Sequence, residues 1–224
     1  MIEEKFIALV PMKGHSERIP NKNLKLINGR PLFFWIINAL NNSKYISKIV
    51  INTDSEKIAS ECQKFFKVTI HMRSQEICGD DVGIMPIISE DIAKVDGNFF
   101  IQTHSTNPIL TTKTIDKAIK SFYKSYARGE CDSMFSVEPI QERYYYKDLR
   151  PINHNPAFLL RTQDMEPIYR ENSCFYIFSR DSALNADNRI GINPKVFEMN
   201  KLESIDIDNP ADFKIAEFFL KEGI

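Results

Sequence analysis

The chain has 224 residues, of which 43% are hydrophobic and 26% charged, and its formal net charge is −1. These values predict one globular domain with a sizeable core, and they exclude the overall positive field expected of a nucleic-acid-binding protein. The first residues have the pattern of neither a signal peptide nor a membrane span. The four cysteines are scattered without a C-x-x-C pair, so we expect free thiols in a cytoplasmic protein.

Apolar runs and helical patterns alternate along the first part of the chain. Continuous apolar runs predict buried strands at residues 6–10, 48–53, 67–71, 98–102 and 132–137. Helical patterns lie between them at about 30–40, 55–66, 86–93 and 112–126. Asp54 or Ser55 is the expected N-cap of the second helix. This alternation predicts an α/β fold, a mostly parallel central sheet with helices on both faces.

Residues 138–164 break the alternation, because they are rich in aromatic residues and prolines. Tyr144, Tyr145 and Tyr146 cannot all face one core from a regular strand, and clustered exposed aromatics usually mark a contact surface. We therefore expect short strands or an extended arm here. Farther along, the patterns predict a strand at 172–178, an alternating strand at 201–208 and a closing amphipathic helix at 211–220.

The loop at residues 11–23 carries the strongest local signal. It contains the cations Lys13, Arg18 and Lys22 together with Gly14, which lets the backbone approach another group closely. It follows a buried strand, so it lies at the carboxyl edge of the sheet, where open α/β folds bind ligands. Three cations within ten residues suit a polyphosphate, although the loop has neither P-loop spacing nor a dinucleotide fingerprint. A solvated surface loop with ordinary charges is the alternative.

A second signal is a pair of aspartates, Asp206 and Asp208. Strand periodicity places both on one face, with Ile205 and Ile207 on the other. Neighbouring carboxylates repel unless a cation lies between them, and a divalent metal that prefers oxygen ligands explains the pair. The alternative is that the strand runs out into solvent and the aspartates cap the last helix.

The pattern K-x-x-S-x-R-x-P-x-K-N, from Lys13 to Asn23, resembles the N-terminal signature of the CMP-sialic acid synthetase (acylneuraminate cytidylyltransferase) family. The D-x-D-x-P ending at Asp206 to Pro210 is similar as well, and the resemblance covers about 7–218. It implies a Rossmann-like nucleotidyltransferase fold, with one domain over 1–224 and a dimerisation and substrate-capping insertion at about 138–165. The expected assembly is a homodimer, with CTP and a sugar acid as partners and neither nucleic acid nor membrane.

The resemblance implies roles for individual residues. Those that contact the nucleotide would be Pro11, Met12, Lys13, Gly14, Ser16, Lys22, Asn23, Arg73 and Asp80. The catalytic set would be Lys13, Ser16, Arg18, Lys22 and Asp208. Asp206 and Asp208 would hold Mg²⁺ or Mn²⁺. Lys13 departs from the family, since many relatives have arginine there, and lysine supplies a point charge where arginine supplies a planar fork.

A further set would contact the sugar acid: Gln102, Ser105, Gln163, Arg170, Asn172 and Tyr176. Arg170, Asn172 and Tyr176 match an R-x-N-x-x-x-Y pattern of the family, and an arginine can bind a carboxylate with two parallel hydrogen bonds. Tyr176 could equally pack in the core of a strand. His104 could be a base, although a loop histidine is more often a polar contact.

The implied reaction is transfer of CMP from CTP to the anomeric hydroxyl of a sialic-acid-like nonulosonic acid. Two alternatives within the same fold are a cytidylyltransferase for another ulosonic acid such as Kdo and a sugar-1-phosphate nucleotidyltransferase. The latter usually carries a G-x-G-T-R loop, which this sequence lacks. A non-catalytic binding protein is the third alternative, but it would be expected to lose Lys22 or the aspartate pair.

Overall fold

A seven-stranded sheet lies at the centre of the fold in the computed structural model, which describes residues 2, 4–79 and 81–223. The central strands are β1 (Phe6–Met12), β4 (Ile46–Thr53), β5 (Thr69–Met72), β6 (Phe99–Thr103), β7 (Ser133–Ile140), β8 (Ile168–Ser179) and β9 (Pro194–Glu198). Their order is β5-β4-β1-β6-β8-β7-β9. Only β8 runs antiparallel to its neighbours among these strands, so the predicted mostly parallel sheet is confirmed.

Helices cover both faces of this sheet, as predicted. One face packs against α1 (Leu32–Asn41), α2 (Glu56–Phe65) and α4 (Thr112–Tyr126). The other packs against α3 (Ile84–Lys94) and α5 (Arg180–Ala186). Strand β1 shows why, because Phe6 and Ala8 point into the first core and Ile7 and Leu9 into the second. The N-cap of α2 is Ser55, whose hydroxyl accepts a hydrogen bond from the Ile58 amide.

A third apolar cluster lies beside the sheet, under the helix α6 (Pro210–Glu222). It joins Phe213 of that helix to Ile27 of a small hairpin, β2 (Leu26–Ile27) and β3 (Arg30–Pro31). Ile207 lies in the same cluster and is fully buried. This cluster fixes the segment with the aspartate pair to the first loop of the chain.

The alternating strand predicted at 201–208 is wrong. Residues 201–204 form a turn, and 205–208 are extended without pairing into a sheet. The alternation arises because Ile207 and Ile205 pack into the third cluster, which turns Asp206 and Asp208 the other way. One-sided packing of a single extended segment thus produces the same sequence pattern as a strand.

The segment after β7 matches the expected short strands or extended arm only in part. Strand β7 continues to Ile140 and pairs with the first part of β8, which begins before the predicted residue 172. Beyond it, 141–164 is mainly irregular, with an isolated bridge between Tyr145 and Pro151 and a short helical turn at Thr162–Asp164. Several large apolar side chains are exposed here: Tyr145, Tyr146, Leu149, Ile152, Phe158, Leu159 and Leu160.

No helix in the described part of the chain is long and apolar enough to cross a bilayer. The four cysteines are free thiols. The chain passes from β1 to β4 on one side, while β6 lies on the other side of β1. Loops leaving β1 and β6 at their carboxyl ends therefore border a crevice at the point where the strand order reverses, which is where α/β sheets bind ligands.

Candidate active site

A basic cleft of about 350 Å³ lies at this carboxyl edge, between the 11–23 loop and the turn that follows β6. It is lined by most of the residues predicted to contact the nucleotide, Pro11, Met12, Lys13, Ser16, Lys22 and Asn23, and by Arg18 of the predicted catalytic set. Ser105, predicted on the sugar side, lies here as well, next to His104 and Thr106. The three predicted cations of the loop are therefore brought to one cavity.

The loop is held in shape by buried side chains. Asn23 donates from Nδ2 to the Lys13 carbonyl at 2.8 Å, and the Ser105 hydroxyl donates to Asn23 Oδ1 at 2.5 Å. Asn23 and Ser105 are both buried, so they brace the cleft wall. Preformed loops of this kind lose less entropy when a ligand binds.

Gly14 serves the packing of the loop against the end of β4. Its amide donates to Asp54 Oδ1 at 2.6 Å, so that N–H is not free for a phosphate. A Cβ at this position would lie 2.8 Å from Ser55 Cβ, closer than side chains approach. Gly14 thus permits a close backbone approach, as expected, but the partner is the protein itself.

An acidic cleft of about 400 Å³ lies next to the basic one. Asp206 and Asp208 line it together with Asp212, and Arg170 and Asn172 of the predicted sugar-binding set line it too. The expectation that the two aspartates share one side of their segment is therefore confirmed, although the segment is not a strand.

The segment with the aspartates is pinned to the turn after β6. The Ile207 amide donates to the Thr106 carbonyl at 2.9 Å, and Asn107 Nδ2 donates to the Ile205 carbonyl at 3.3 Å. These bonds, together with the burial of Ile207, hold the carboxylates in place without a sheet.

Two cations of the loop connect the clefts. Arg18 Nη2 lies 2.8 Å from Asp208 Oδ1, in a pair whose side chains are 64% and 46% exposed. Lys22 Nζ donates to the Ile207 carbonyl at 2.8 Å. Burial lowers the pKa of Lys22, while Asp206 and Asp208 act in the opposite direction. A half-buried ammonium is an attractive partner for phosphate oxygens, because it has already lost part of its hydration.

Asp206 is the carboxylate best placed for a cation. Burial raises its pKa, and the neighbouring Asp208 raises it further. Its Oδ1 is buried without a hydrogen-bond partner. Within the described residues no cluster of three or more His, Cys, Asp or Glu side chains could hold a metal alone. The pair therefore fits a cation such as Mg²⁺, which takes one or two carboxylates and completes its shell with phosphates and water.

The aspartate pair does not cap α6. The cap is Asn209, whose Oδ1 accepts from the Ala211 amide at 2.8 Å and the Asp212 amide at 3.1 Å. Asp212 completes a capping box by accepting from the Asn209 amide. The Asp208 carboxylate is engaged with Arg18 instead. The capping alternative is therefore wrong for both members of the pair.

Gln102 and Tyr176 lie between the two clefts but are fully buried. Gln102 donates from Nε2 to the Thr103 carbonyl at 2.9 Å and accepts at Oε1 from Arg189 Nη1 at 2.7 Å. The Tyr176 hydroxyl hydrogen-bonds to Glu171 and to Ser173, and burial, with the bond to Glu171, raises the pKa of Tyr176 to about 12. Both predicted residues therefore use their polar atoms inside the protein.

Thr106, which lines the basic cleft, and Arg189, which contacts His104 of that lining, were not indicated by the sequence. Arg189 follows α5 in a stretch without a motif, and its contact with Gln102 joins residues 87 positions apart. His104 Nε2 lies 3.4 Å from Arg189 Nη1, and burial together with Arg189 and Lys22 lowers the pKa of His104 to about 4. His104 is thus neutral at pH 7.

The remaining predicted residues differ in how close they lie to the clefts. Arg170 forms an ion pair with Glu138 at the edge of the acidic cleft, and Asn172 hydrogen-bonds to Ser204 and Ser136. Gln163 lies in the exposed 141–164 segment and lines neither cleft. Arg73 is buried and donates to Asn52. Asp80 lies outside the described residues.

Comparisons with known proteins identify the family to which the chain belongs. A family model described as cytidylyltransferase matches residues 7–222. The chain is 28% identical over 223 residues to the CMP-N,N'-diacetyllegionaminic acid synthase of Campylobacter jejuni, covering 96% of this chain and 94% of that protein. It is 30% identical over 221 residues to N-acylneuraminate cytidylyltransferase A of Danio rerio, where the match covers 94% of this chain but 49%, about half, of the fish protein.

The fold is also similar to that of a solved structure. CMP:2-keto-3-deoxy-manno-octonic acid synthetase, solved in complex with CTP, superposes with a TM-score of 0.73 over 99% of this chain and 100% of the other. Because the two sequences are 13% identical, this likeness shows a shared fold alone.

Proposed function

Since the chain belongs to the cytidylyltransferase family and is a CTP-using nucleotidyltransferase, we propose that it transfers CMP from CTP to the anomeric hydroxyl of a sialic-acid-like 2-keto-3-deoxy nonulosonic acid. The observation that carries this proposal is the meeting of a basic and an acidic cleft at the contacts of Arg18 and Lys22 with 207–208. The activities named for the Campylobacter and Danio relatives support the choice of acid. The products are a CMP-sugar and pyrophosphate.

The reaction is an in-line displacement at the α-phosphorus of CTP. The anomeric oxygen forms a bond to that phosphorus and gives up its proton to solvent, while the bond between the α-phosphorus and the α–β bridging oxygen breaks and its electron pair leaves with pyrophosphate. Lys13, Arg18 and Lys22 neutralise the charge that develops on the leaving oxygens, and Ser16 supplies a hydroxyl donor in the same cleft. Positioning and electrostatics therefore account for most of the catalysis.

We propose Asp206 and Asp208 as the holders of Mg²⁺ or Mn²⁺. A bound divalent ion would supply charge neutralisation and Lewis acidity to the phosphates. The unpartnered Oδ1 of Asp206 and the half-exposed carboxylate of Asp208 are the atoms that fit it. When the triphosphate enters, Arg18 exchanges Asp208 for a phosphate oxygen, since an exposed ion pair of this kind is weak.

The sugar acid is proposed to occupy the acidic cleft, next to Arg170 and Asn172. We propose a homodimer in the cytoplasm, formed through the 141–164 segment. Its exposed apolar side chains include Phe158 at 71% and Leu159 at 81%, a degree of exposure that favours a contact surface.

A screen of pyrophosphate release tests the proposal. The enzyme with Mg²⁺ is supplied with CTP, UTP, ATP or GTP and with sialic, legionaminic, pseudaminic, Kdn or Kdo acid. We expect release with CTP and a nine-carbon acid, and a CMP-sugar by mass spectrometry. Equal turnover with UTP would contradict the nucleotide preference, and turnover with Kdo alone would place the chain in the eight-carbon branch.

A further inference from the structure

Arg189 is a cation to which the proposed reaction assigns no role. Its guanidinium lies 3.6 Å from the centre of the Tyr176 ring, and Nη1 donates to Gln102 Oε1 at 2.7 Å. Stacking on a buried aromatic ring and a hydrogen bond to a buried amide hold the guanidinium in one orientation.

This arginine lacks the carboxylate that neutralises its counterparts. Arg170 is paired with Glu138 and Arg18 with Asp208, whereas Arg189 forms no ion pair with any carboxylate in the described chain. The nearby Glu171 is already hydrogen-bonded by the Tyr176 hydroxyl. Burial lowers the pKa of Arg189, while Tyr176 and the Glu171 carboxylate, which forms no ion pair with it, act in the opposite direction. A partly desolvated cation with open donors is a favourable site for an oxygen acceptor.

The position of Arg189 connects it with both clefts. Its Nη1 lies 3.4 Å from Nε2 of His104, which lines the basic cleft. The hydroxyl of Tyr176, on which Arg189 stacks, bonds to Glu171 and Ser173 in the lining of the acidic cleft. The lining of neither cleft includes Arg189 itself, so the guanidinium lies directly behind the side chains that separate the two clefts.

We propose that Arg189 binds an oxygen acceptor of the sugar acid and thereby helps to decide which acid is accepted. This inference rests on the proposed function. Gln102 is then a positioning residue, because its Nε2 bond to the Thr103 carbonyl turns Oε1 toward Arg189. The acceptor has two possible sources, the carboxylate that every such acid carries and the acyl carbonyl that only N-acylated acids carry.

Steady-state kinetics of R189M and R189K test this role. R189M removes the charge and keeps a long side chain, while R189K keeps a point charge and loses the fork. We expect R189M to raise KM for the sugar acid roughly 10- to 100-fold, the loss expected for a hydrogen bond to a charged group. KM for CTP and the melting temperature should stay close to wild type, and R189K should show a smaller rise. R128M, at an exposed arginine paired with Glu130, is the matched control and should change neither KM.

The acids themselves separate the two sources. An equal rise in KM for N-acylated acids and for Kdn assigns the carboxylate, and a rise confined to N-acylated acids assigns the acyl carbonyl. An unchanged KM for every acid in a folded R189M would overturn the proposal while leaving the proposed function intact. If R189M melts well below wild type, R189K decides, and a wild-type KM in that variant overturns the proposal. Absence of turnover by the wild-type enzyme with all acids contradicts the proposed function instead.

Discussion

The basic and acidic clefts lie side by side but are built in different ways. The basic cleft is a loop held by side chains, in which Asn23 and Ser105 tie the backbone into shape. The acidic cleft depends on an extended segment pinned by a backbone bond to Thr106 and by the burial of Ile207. The positive charges therefore lie on a loop braced by side-chain hydrogen bonds, and the negative charges lie on an extended segment anchored by a buried isoleucine.

The contacts between the two clefts show how each stabilises the other when no substrate is bound. Arg18 offsets the charge of Asp208, and Lys22 lies close enough to the pair to stabilise both carboxylates. A triphosphate with a divalent cation carries the same two kinds of charge, so we propose that it replaces these contacts when it binds. Substitutions on each side test whether the two clefts work as one site.

The largest effect is expected from Asp206→Asn and Asp208→Asn. Either change removes a charge from the acidic cleft, and we expect kcat/KM to fall about 1000-fold, with a higher Mg²⁺ concentration for half-maximal rate. The fold should remain intact, because Asn209 caps α6. The exposed Asp96→Asn is the control. A wild-type rate with unchanged Mg²⁺ dependence in Asp208→Asn would place the metal elsewhere.

Lys22→Ala weakens the basic side of the comparison. The lysine is half-buried and faces the boundary of the two clefts, so its loss should lower kcat/KM by roughly 100-fold, the order seen for a preorganised electrostatic group. Lys57→Ala, on the exposed face of α2, should have no effect. Near-normal turnover of Lys22→Ala would favour the alternative that the loop is a solvated surface loop with ordinary charges. Calorimetric titration with CTP would show whether binding or turnover is lost.

Leu159→Glu tests whether the 141–164 segment holds two copies of the chain together. It introduces a charge into the exposed apolar part of the 141–164 segment. Light scattering should give twice the 26.0 kDa of one chain for wild type and a mass close to one chain for the variant. A wild-type mass of one chain at micromolar concentration would rule out the homodimer.

The smallest effect concerns the neutral histidine of the basic cleft. The folded-state pKa of His104, about 4, lies below its unfolded value, so the unfolded state binds more protons between these pH values. Stability therefore falls as pH decreases from 7 to 5, by up to about 2 kcal/mol from this residue. Urea unfolding of His104→Gln at both pH values should show a correspondingly smaller fall. Identical pH dependence in wild type and variant would mean that the fall has another source than His104.

Much of the fold was predictable, because β1, β4 and β6 are buried on both faces and so appear as continuous apolar runs. Strand β9 was missed, since its residues are mostly exposed and it lies at the edge of the sheet. The small hairpin β2–β3 and the short helix α5 carry no comparable pattern. Local periodicity predicts elements that have strong one-sided or two-sided burial and misses the others.

The candidate site was predictable where it is local in sequence. Lys13, Arg18 and Lys22 lie within one loop, and Asp206 and Asp208 are two residues apart. Contacts between distant segments were not predictable, and they change what individual residues can do. Gln102 was expected to contact the substrate, but its amide is occupied by Arg189 and by the backbone.

A crystal structure with CTP and Mn²⁺ tests the central claim most directly, because the anomalous signal of manganese locates the metal. The two-cleft site predicts a manganese peak within coordination distance of Asp206, Asp208 and the CTP phosphates. It also predicts that Arg18 has left Asp208 for a phosphate oxygen, with Lys13 and Lys22 facing the triphosphate. A manganese peak away from both aspartates, with the Arg18–Asp208 pair intact and CTP bound elsewhere, would contradict it.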